Sequence, residues 1–238
     1  MLVHGYAGHF YEAYFPRLAQ AAAEQGITTL ALNMRDHDTG PKMSDFADNH
    51  TDVATGVAYL RSLGVRKIVL LGQSIGTNRV LYQAASADPS IAATVLVSGP
   101  GNLFQWNLWQ FGREKAQASV DEALRMRAAG HDRDLMLIDL GPLGKALYTP
   151  RYLLSMRGPG ARSDPYQNIS KVKDPVLILQ GKADKLIEPD IAERLRKAAA
   201  GNAKVAVVYL EDADHGFSQQ EPALAERVLS WIKSVVPQ

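Results

Sequence analysis

At 238 residues the chain can bury a substantial core within one large α/β domain, with room for a subdomain. Hydrophobic residues make up 46%, charged residues 21% and the formal net charge is +1 with no block of like charges, so no nucleic-acid or anionic-membrane partner is expected. Cysteine is absent, which excludes disulfides, thiolate metal sites and cysteine nucleophiles and is compatible with a reducing compartment.

The chain opens with Met1-Leu2-Val3, the tail of a buried strand, followed at once by the loop His4-Gly5-Tyr6-Ala7-Gly8. It shows neither the basic nor the apolar region of a signal peptide, and no apolar run approaches the roughly 20 residues of a membrane helix. A cytoplasmic location is expected, and the sequons at Asn49 and Asn168 are read as chance. Tyr11 to Gln25 has helical periodicity through Tyr14, Leu18, Ala21 and Ala22, with Gly26 as its stop. Ile27 to Leu32 is a β-branched apolar run, expected as a strand covered on both faces, and Asn33 to Lys42 is a polar loop. Asp45 to Leu63 is a helix with Phe46, Val53, Val57 and Leu60 on its apolar stripe. Ile68 to Leu71 is a strand, a helix runs from Thr77 to about Ala87, and Ala93 to Val97 is the next strand.

Between Asn102 and Asp174 this alternation breaks. Phe104, Trp106, Trp109 and Phe111 open the segment, a helix covers Glu114 to Ala129, and Asp134 to Leu140 is ambiguous between strand and helix. Thr149-Pro150 reads as the N-cap and first residue of a helix over Arg151 to Met156. The alternation resumes with strands at Val176 to Gln180 and Val205 to Leu210, and helices at Pro189 to Ala200 and Glu221 to Val235. The pattern predicts a mainly parallel sheet with helices on both faces, so ligands should collect outside the carboxyl ends of the strands. It predicts an α/β core over 1–101 and 174–238, and a mostly helical cap over 102–173 that roofs the site.

Three strand ends carry chemistry. Gly72-Gln73-Ser74-Ile75-Gly76 is a strand-to-helix turn that would lift the Ser74 hydroxyl clear of the sheet. A serine needs a base oriented by a carboxylate. Asp184 follows one strand in Gly181-Lys182-Ala183-Asp184, and His215 follows another in Asp214-His215-Gly216-Phe217. Asp212 and Asp214 are nearer to His215 in sequence, but they are expected to shape its loop, and Asp184 is preferred as its partner. His4 and His9 lack further metal-ligand spacing, so His4 should bond its own loop, while His37, His50 and His131 are expected to be solvated. Neither a phosphate loop nor a dinucleotide fingerprint is present, and no cofactor or metal is expected.

These motifs, in this order over residues 1–238, resemble the α/β-hydrolase superfamily. The resemblance implies a Ser74–His215–Asp184 triad and an oxyanion hole made by the backbone N–H groups of Tyr6 and Ile75. It implies a serine hydrolase, esterase-like, acting on a small-molecule ester or acyl substrate. Tyr6, Trp106, Trp109 and Phe217 are the candidate substrate contacts. Thioesterase, peptidase, C–C hydrolase and acyltransferase chemistry use the same residues, and a non-catalytic binding protein or a cofactor-free haloperoxidase are further readings. Members usually carry strands before the His-Gly loop that this chain does not show. Its first strand is therefore expected at the sheet edge, unless the chain starts downstream of its natural beginning.

Overall fold

The structure, a computed structural model, describes residues 1–236; Pro237 and Gln238, the end of the expected core, lie outside the described residues. Its strands are β1 (Leu2–Val3), β2 (Ala31–Leu32), β3 (Ile68–Gln73), β4 (Ile91–Val97), β5 (Met136–Asp139), β6 (Lys145–Tyr148), β7 (Val176–Gly181) and β8 (Val205–Leu210). Its helices are α1 (Phe15–Ala23), α2 (Phe46–Ser62), α3 (Gly76–Ala84), α4 (Leu103–Ala128), α5 (Pro150–Arg157), α6 (Pro165–Ile169), α7 (Ile191–Ala198) and α8 (Glu221–Val235).

Six strands form one parallel sheet in the order β2-β1-β3-β4-β7-β8. Side chains alternate across it with period two. Leu70, Leu96 and Ile178 face one layer, with Val53, Val57, Ile169 and Leu195 from α2, α6 and α7. Leu71, Val95, Val97, Leu177 and Leu179 face the other, with Leu18 of α1 and Leu224 and Val228 of α8. Both faces are therefore buried, as the continuous apolar runs of the central strands require.

Near the start of the chain the structure departs from expectation. β1 is not the edge strand: it pairs with β2 on one side and β3 on the other. The edge is β2, reduced to two half-buried residues, because the β1 it pairs with is itself only two residues long. The helix expected from Tyr11 starts at Phe15, after turns through Tyr14.

The segment between β4 and β7 has its own apolar cluster, built from Leu103, Val120, Ala123, Ile138, Tyr148 and Leu153, with Phe46 and Ile75 contributed by the core. The opening aromatic run is the first half of α4, which continues past a break at Gly112 (φ 77°, ψ 164°). The ambiguous stretch is a strand: Met136 and Ile138 point inward while Leu137 is 62% exposed. It pairs antiparallel with β6, a strand the sequence did not signal, so the insertion combines helices with a hairpin. Thr149 caps α5 by accepting from the Tyr152 amide, as its Thr-Pro signature predicts. The short α6 was also not foreseen, and through Ile169 and the following Val172 it returns the chain to the main core.

β3 and α3 meet at two glycines with no room for side chains. A Cβ on Gly72 would lie 2.3 Å from the Gly76 carbonyl oxygen, and one on Gly76 would lie 2.2 Å from that of Val3. These neighbours are backbone and cannot rotate away. Replacing Gly76 by Ala should destabilise the fold by about 1–3 kcal/mol, measured as a lowered urea midpoint at unchanged m-value.

Candidate active site

Only Ser74 and Ile75 lie between β3 and α3, and because Ile75 is already helical (φ −55°, ψ −24°) the reversal of the chain falls on Ser74. It adopts φ 52°, a left-handed conformation rare for a side-chain-bearing residue. The strain is held by neighbours: the Ser74 amide donates to the Val97 carbonyl at 2.9 Å, and the Thr77 hydroxyl and amide both donate to the Ser74 carbonyl. The Ile75 amide follows at the N-terminal end of α3.

The loops after β7 and β8 are stitched together, since Ala183 N–H donates to Ala213 O and Lys182 N–H to Leu210 O. This brings the Asp184 carboxylate and the His215 ring into contact. Asp184 Oδ2 lies 2.7 Å from His215 Nδ1, and His215 Nε2 lies 3.0 Å from Ser74 Oγ, across 141 positions of sequence. With Nδ1–H donating to the carboxylate, Nε2 is left to accept the serine proton. Asp184 is wholly buried and also accepts from the Leu186 amide at 2.8 Å, while the imidazole is 20% exposed. Ser98 supports the histidine loop by donating to the His215 carbonyl at 2.9 Å. Asp214 accepts from the Ser218 amide and hydroxyl, and its carboxyl is held below its usual range by those bonds; it shapes the loop rather than touching the ring.

The His4-Gly5-Tyr6 loop lies against this turn, so close that a Cβ on Gly5 would be 2.9 Å from Ser74 Cβ. Among the described residues neither the Tyr6 nor the Ile75 amide has a protein acceptor. The buried His4 ring bonds its own loop, as anticipated, through Nδ1 to the Gly5 carbonyl at 2.8 Å, and its Nε2 accepts from the Met34 amide at 3.0 Å. Burial, then the Arg79 charge, pull its pKa down to about 4, so the ring is neutral.

Beneath the loop lies a buried polar network. Arg79 on α3 grips both carboxylate oxygens of Asp36 at 2.7 Å and donates to the His4 carbonyl at 3.0 Å. Tyr152 from α5 donates to the same carboxylate at 3.1 Å, and Lys42 donates to the Asp36 carbonyl at 2.7 Å. Burial alone would raise the Asp36 pKa, but Arg79 and Tyr152 together hold it below its ordinary value. None of these four residues stood out in the sequence. Asp36 and Lys42 lie in a stretch that reads as a solvated loop, and the only hint was a charge, Arg79, beside the apolar Val80 and Leu81.

Ser74 and His215 open onto a cavity of about 170 Å³ whose walls include Tyr6, Glu12, Leu103, Trp106, Leu143 and Arg157. Of the expected substrate contacts, Tyr6 and Trp106 line it. Trp106 also donates from Nε1 to the Leu186 carbonyl at 2.7 Å, tying α4 to the Asp184 loop. Trp109 does not line it, being 44% exposed on the outer face of α4. Phe217 does not either: it is fully buried in the core edge-on to Tyr14, because its loop turns inward at φ 56°. Glu12 and Arg157 are wall residues that no motif marked. Glu12 accepts from the Gly5 amide at 3.1 Å, and its carboxyl is pushed up, chiefly by burial. The other histidines divide: His131 is exposed beside Asp134, but His37 and His50 are half-buried, His50 edge-on to Tyr82.

Comparison with known proteins agrees with this architecture. Residues 1–135 match the model of the alpha/beta hydrolase fold family, and residues 157–234 that of the dienelactone hydrolase family. No curated protein matches the sequence. Among solved structures, Est1E from Butyrivibrio proteoclasticus, with ferulic acid bound, superposes with a TM-score of 0.77 at 17% identity, covering 100% of this chain and 88% of that one. One from a study of the metagenome-derived lipolytic enzymes LipS and LipT gives 0.72 at 18% identity over 98% and 92%. The monoacylglycerol lipase of Paleococcus ferrophilus gives 0.67 at 17% identity over 96% and 93%.

The neutral His4 has a consequence for stability against pH. Its folded pKa of about 4 lies below the ordinary histidine value of 6.5, so the unfolded chain binds this proton first. The contribution of His4 to stability is present in full above pH 6.5 and is lost as pH falls through 4, by up to ~3 kcal/mol. The depressed Asp36 pKa adds its own loss only below 3.8. Urea midpoints should therefore fall between pH 6.5 and 4.5, and His4→Gln should flatten that interval.

Proposed function

The chain belongs to the alpha/beta hydrolase fold family, and from that premise we propose that it is a serine hydrolase cleaving carboxylic esters of small molecules. The observation that carries this reading is the unbroken relay from Asp184 through His215 to Ser74, at 2.7 and 3.0 Å, opening on a cavity. Ser74 Oγ attacks the acyl carbon while His215 Nε2 takes its proton, and Asp184 stabilises the imidazolium that forms. The negative oxygen of the tetrahedral intermediate is received by the Ile75 and Tyr6 amides, each such donor contributing about 3–4 kcal/mol. Collapse expels the alcohol, which takes the proton from His215. Water then repeats the sequence on the acyl-enzyme, releasing the acid and restoring Ser74.

In this reading the insertion between β4 and β7 is the cap. Leu103, Trp106, Leu143 and Arg157 all come from it and form much of the cavity wall. The names of structural neighbours, an esterase of Pyrococcus furiosus and a monoacylglycerol lipase, support ester chemistry. The cavity, about 170 Å³, is below the ~300 Å³ at which drug-sized sites begin, which favours short acyl groups.

A fluorophosphonate probe should label Ser74 once per chain, and well-folded protein that is not labelled would refute a nucleophilic role. His215→Ala should lower p-nitrophenyl acetate turnover by roughly 10³-fold or more, with near-normal kcat excluding it as the base. Across p-nitrophenyl esters, kcat/KM should fall roughly tenfold or more from butanoate to octanoate, and a rise with chain length would contradict the small cavity.

A further inference from the structure

Two arginines of this protein are almost wholly buried, and they are treated differently. Arg79 is 2% exposed and is neutralised by both oxygens of Asp36. Arg157, the last residue of α5, is 1% exposed, and among the described residues no carboxylate pairs with it. Its Nη1 donates to the neutral Asn107 Oδ1 at 3.0 Å, its guanidinium lies 5.3 Å from the Trp106 ring centroid, and its Nε has no acceptor. The neighbouring Tyr148 hydroxyl, also buried, interacts with the Arg157 guanidinium and the Tyr6 hydroxyl but forms no well-aligned hydrogen bond. Burial suppresses its ionisation, so it cannot supply the missing negative charge. Glu12, the acid on the same cavity, bonds the Gly5 amide and forms no ion pair with Arg157. An unneutralised buried guanidinium is costly, whereas one that receives an anion from a ligand makes strong, directional, paired hydrogen bonds. Arg157 lines the cavity onto which Ser74 opens.

Resting on the esterase reading above, we propose that Arg157 binds a second, unreacting carboxylate on the substrate, so that the enzyme prefers small esters that also carry a free acid. The planar fork of arginine matches a carboxylate edge to edge through two parallel N–H···O bonds, and Asn107 holds the fork by accepting from Nη1. A cavity of about 170 Å³ requires the acid and the scissile carbonyl to be separated by only a few bonds. Trp106 serves both ends: its ring lies under the guanidinium, and its Nε1 holds the loop of Asp184.

The test uses two isosteric pairs, each an acid against its primary amide. Monomethyl glutarate against methyl 4-carbamoylbutanoate places the charge on the acyl side, and acetoxyacetate against acetoxyacetamide places it on the alcohol side. In at least one pair the wild type should favour the acid tenfold or more in kcat/KM. Arg157→Gln should bring that ratio near one, and Arg157→Lys, which keeps the charge but loses the fork, should fall between. Each ratio is internal to one enzyme, so a general loss of activity does not imitate the result. Calorimetric titration of the wild type with glutarate and with its diamide reads binding without turnover, and glutarate should bind at least tenfold tighter. If the variants do not fold, the wild-type ratios and titrations decide. Turnover of p-nitrophenyl acetate with ratios near one in both pairs and equal binding would overturn the carboxylate proposal and leave the esterase reading intact. No turnover and no fluorophosphonate labelling would end the esterase reading, and the titration would then decide the anion site alone.

Discussion

The structure depends on how closely β3 and α3 approach each other. Because backbone fills the space where Gly72 and Gly76 would carry side chains, the chain has a single residue in which to turn, and Ser74 is driven to φ 52°. Three consequences follow from this one steric fact. The hydroxyl projects beyond the sheet, the next amide falls at a helix N-terminus, and the first strand's carbonyls are brought against the turn. The loops after β7 and β8 then need only reach the same rim, which the parallel register of β4, β7 and β8 ensures.

A second element of order is the Asp36 carboxylate. It receives Arg79 from α3 and Tyr152 from α5, and Arg79 in turn holds the His4 carbonyl. The helix that follows Ser74, the loop carrying the Tyr6 amide and the insertion are thus referred to a single buried charge. Such a pair adds little net stability over an apolar replacement, but losing one partner leaves an uncompensated ion. Its contribution is geometric: it fixes the relative positions of three segments that share no secondary structure.

The sequence was most informative where the physics is local. Central strands such as Val176–Gly181, the capped start of α5, the extent of α8 and the serine turn follow from periodicity, capping chemistry and steric demand, and each lies where expected. It was least informative where tertiary contact decides. β6 is four residues long and becomes a strand only because β5 pairs with it. Phe217 looked like a site aromatic because it is two residues from His215, yet one left-handed residue turns it into the core. Asp36, Lys42 and Arg157 carry no local sign of their burial, since burial of a polar side chain depends on partners far away in sequence. Trp106 and Trp109 are indistinguishable in composition; their different fates follow from their angular positions on α4, whose first half was not read as helix.

The second partner of the Asp36 carboxylate, the Tyr152 hydroxyl, also bears on how this protein can change over evolutionary time. An insertion that shapes a cavity invites replacement as a cassette, with the cavity altered and Ser74, His215 and Asp184 untouched. Here the seam is not clean: the outgoing piece would take Tyr152 with it, and would leave Phe46 and Ile75 without the apolar surface they cover. A donor segment lacking an equivalent hydroxyl would strip a buried carboxylate of one of its bonds. Recombination at this boundary therefore favours ancestors in which the stretch from Asp36 to Phe46 and the insertion travel together, as one heritable unit split in the primary sequence.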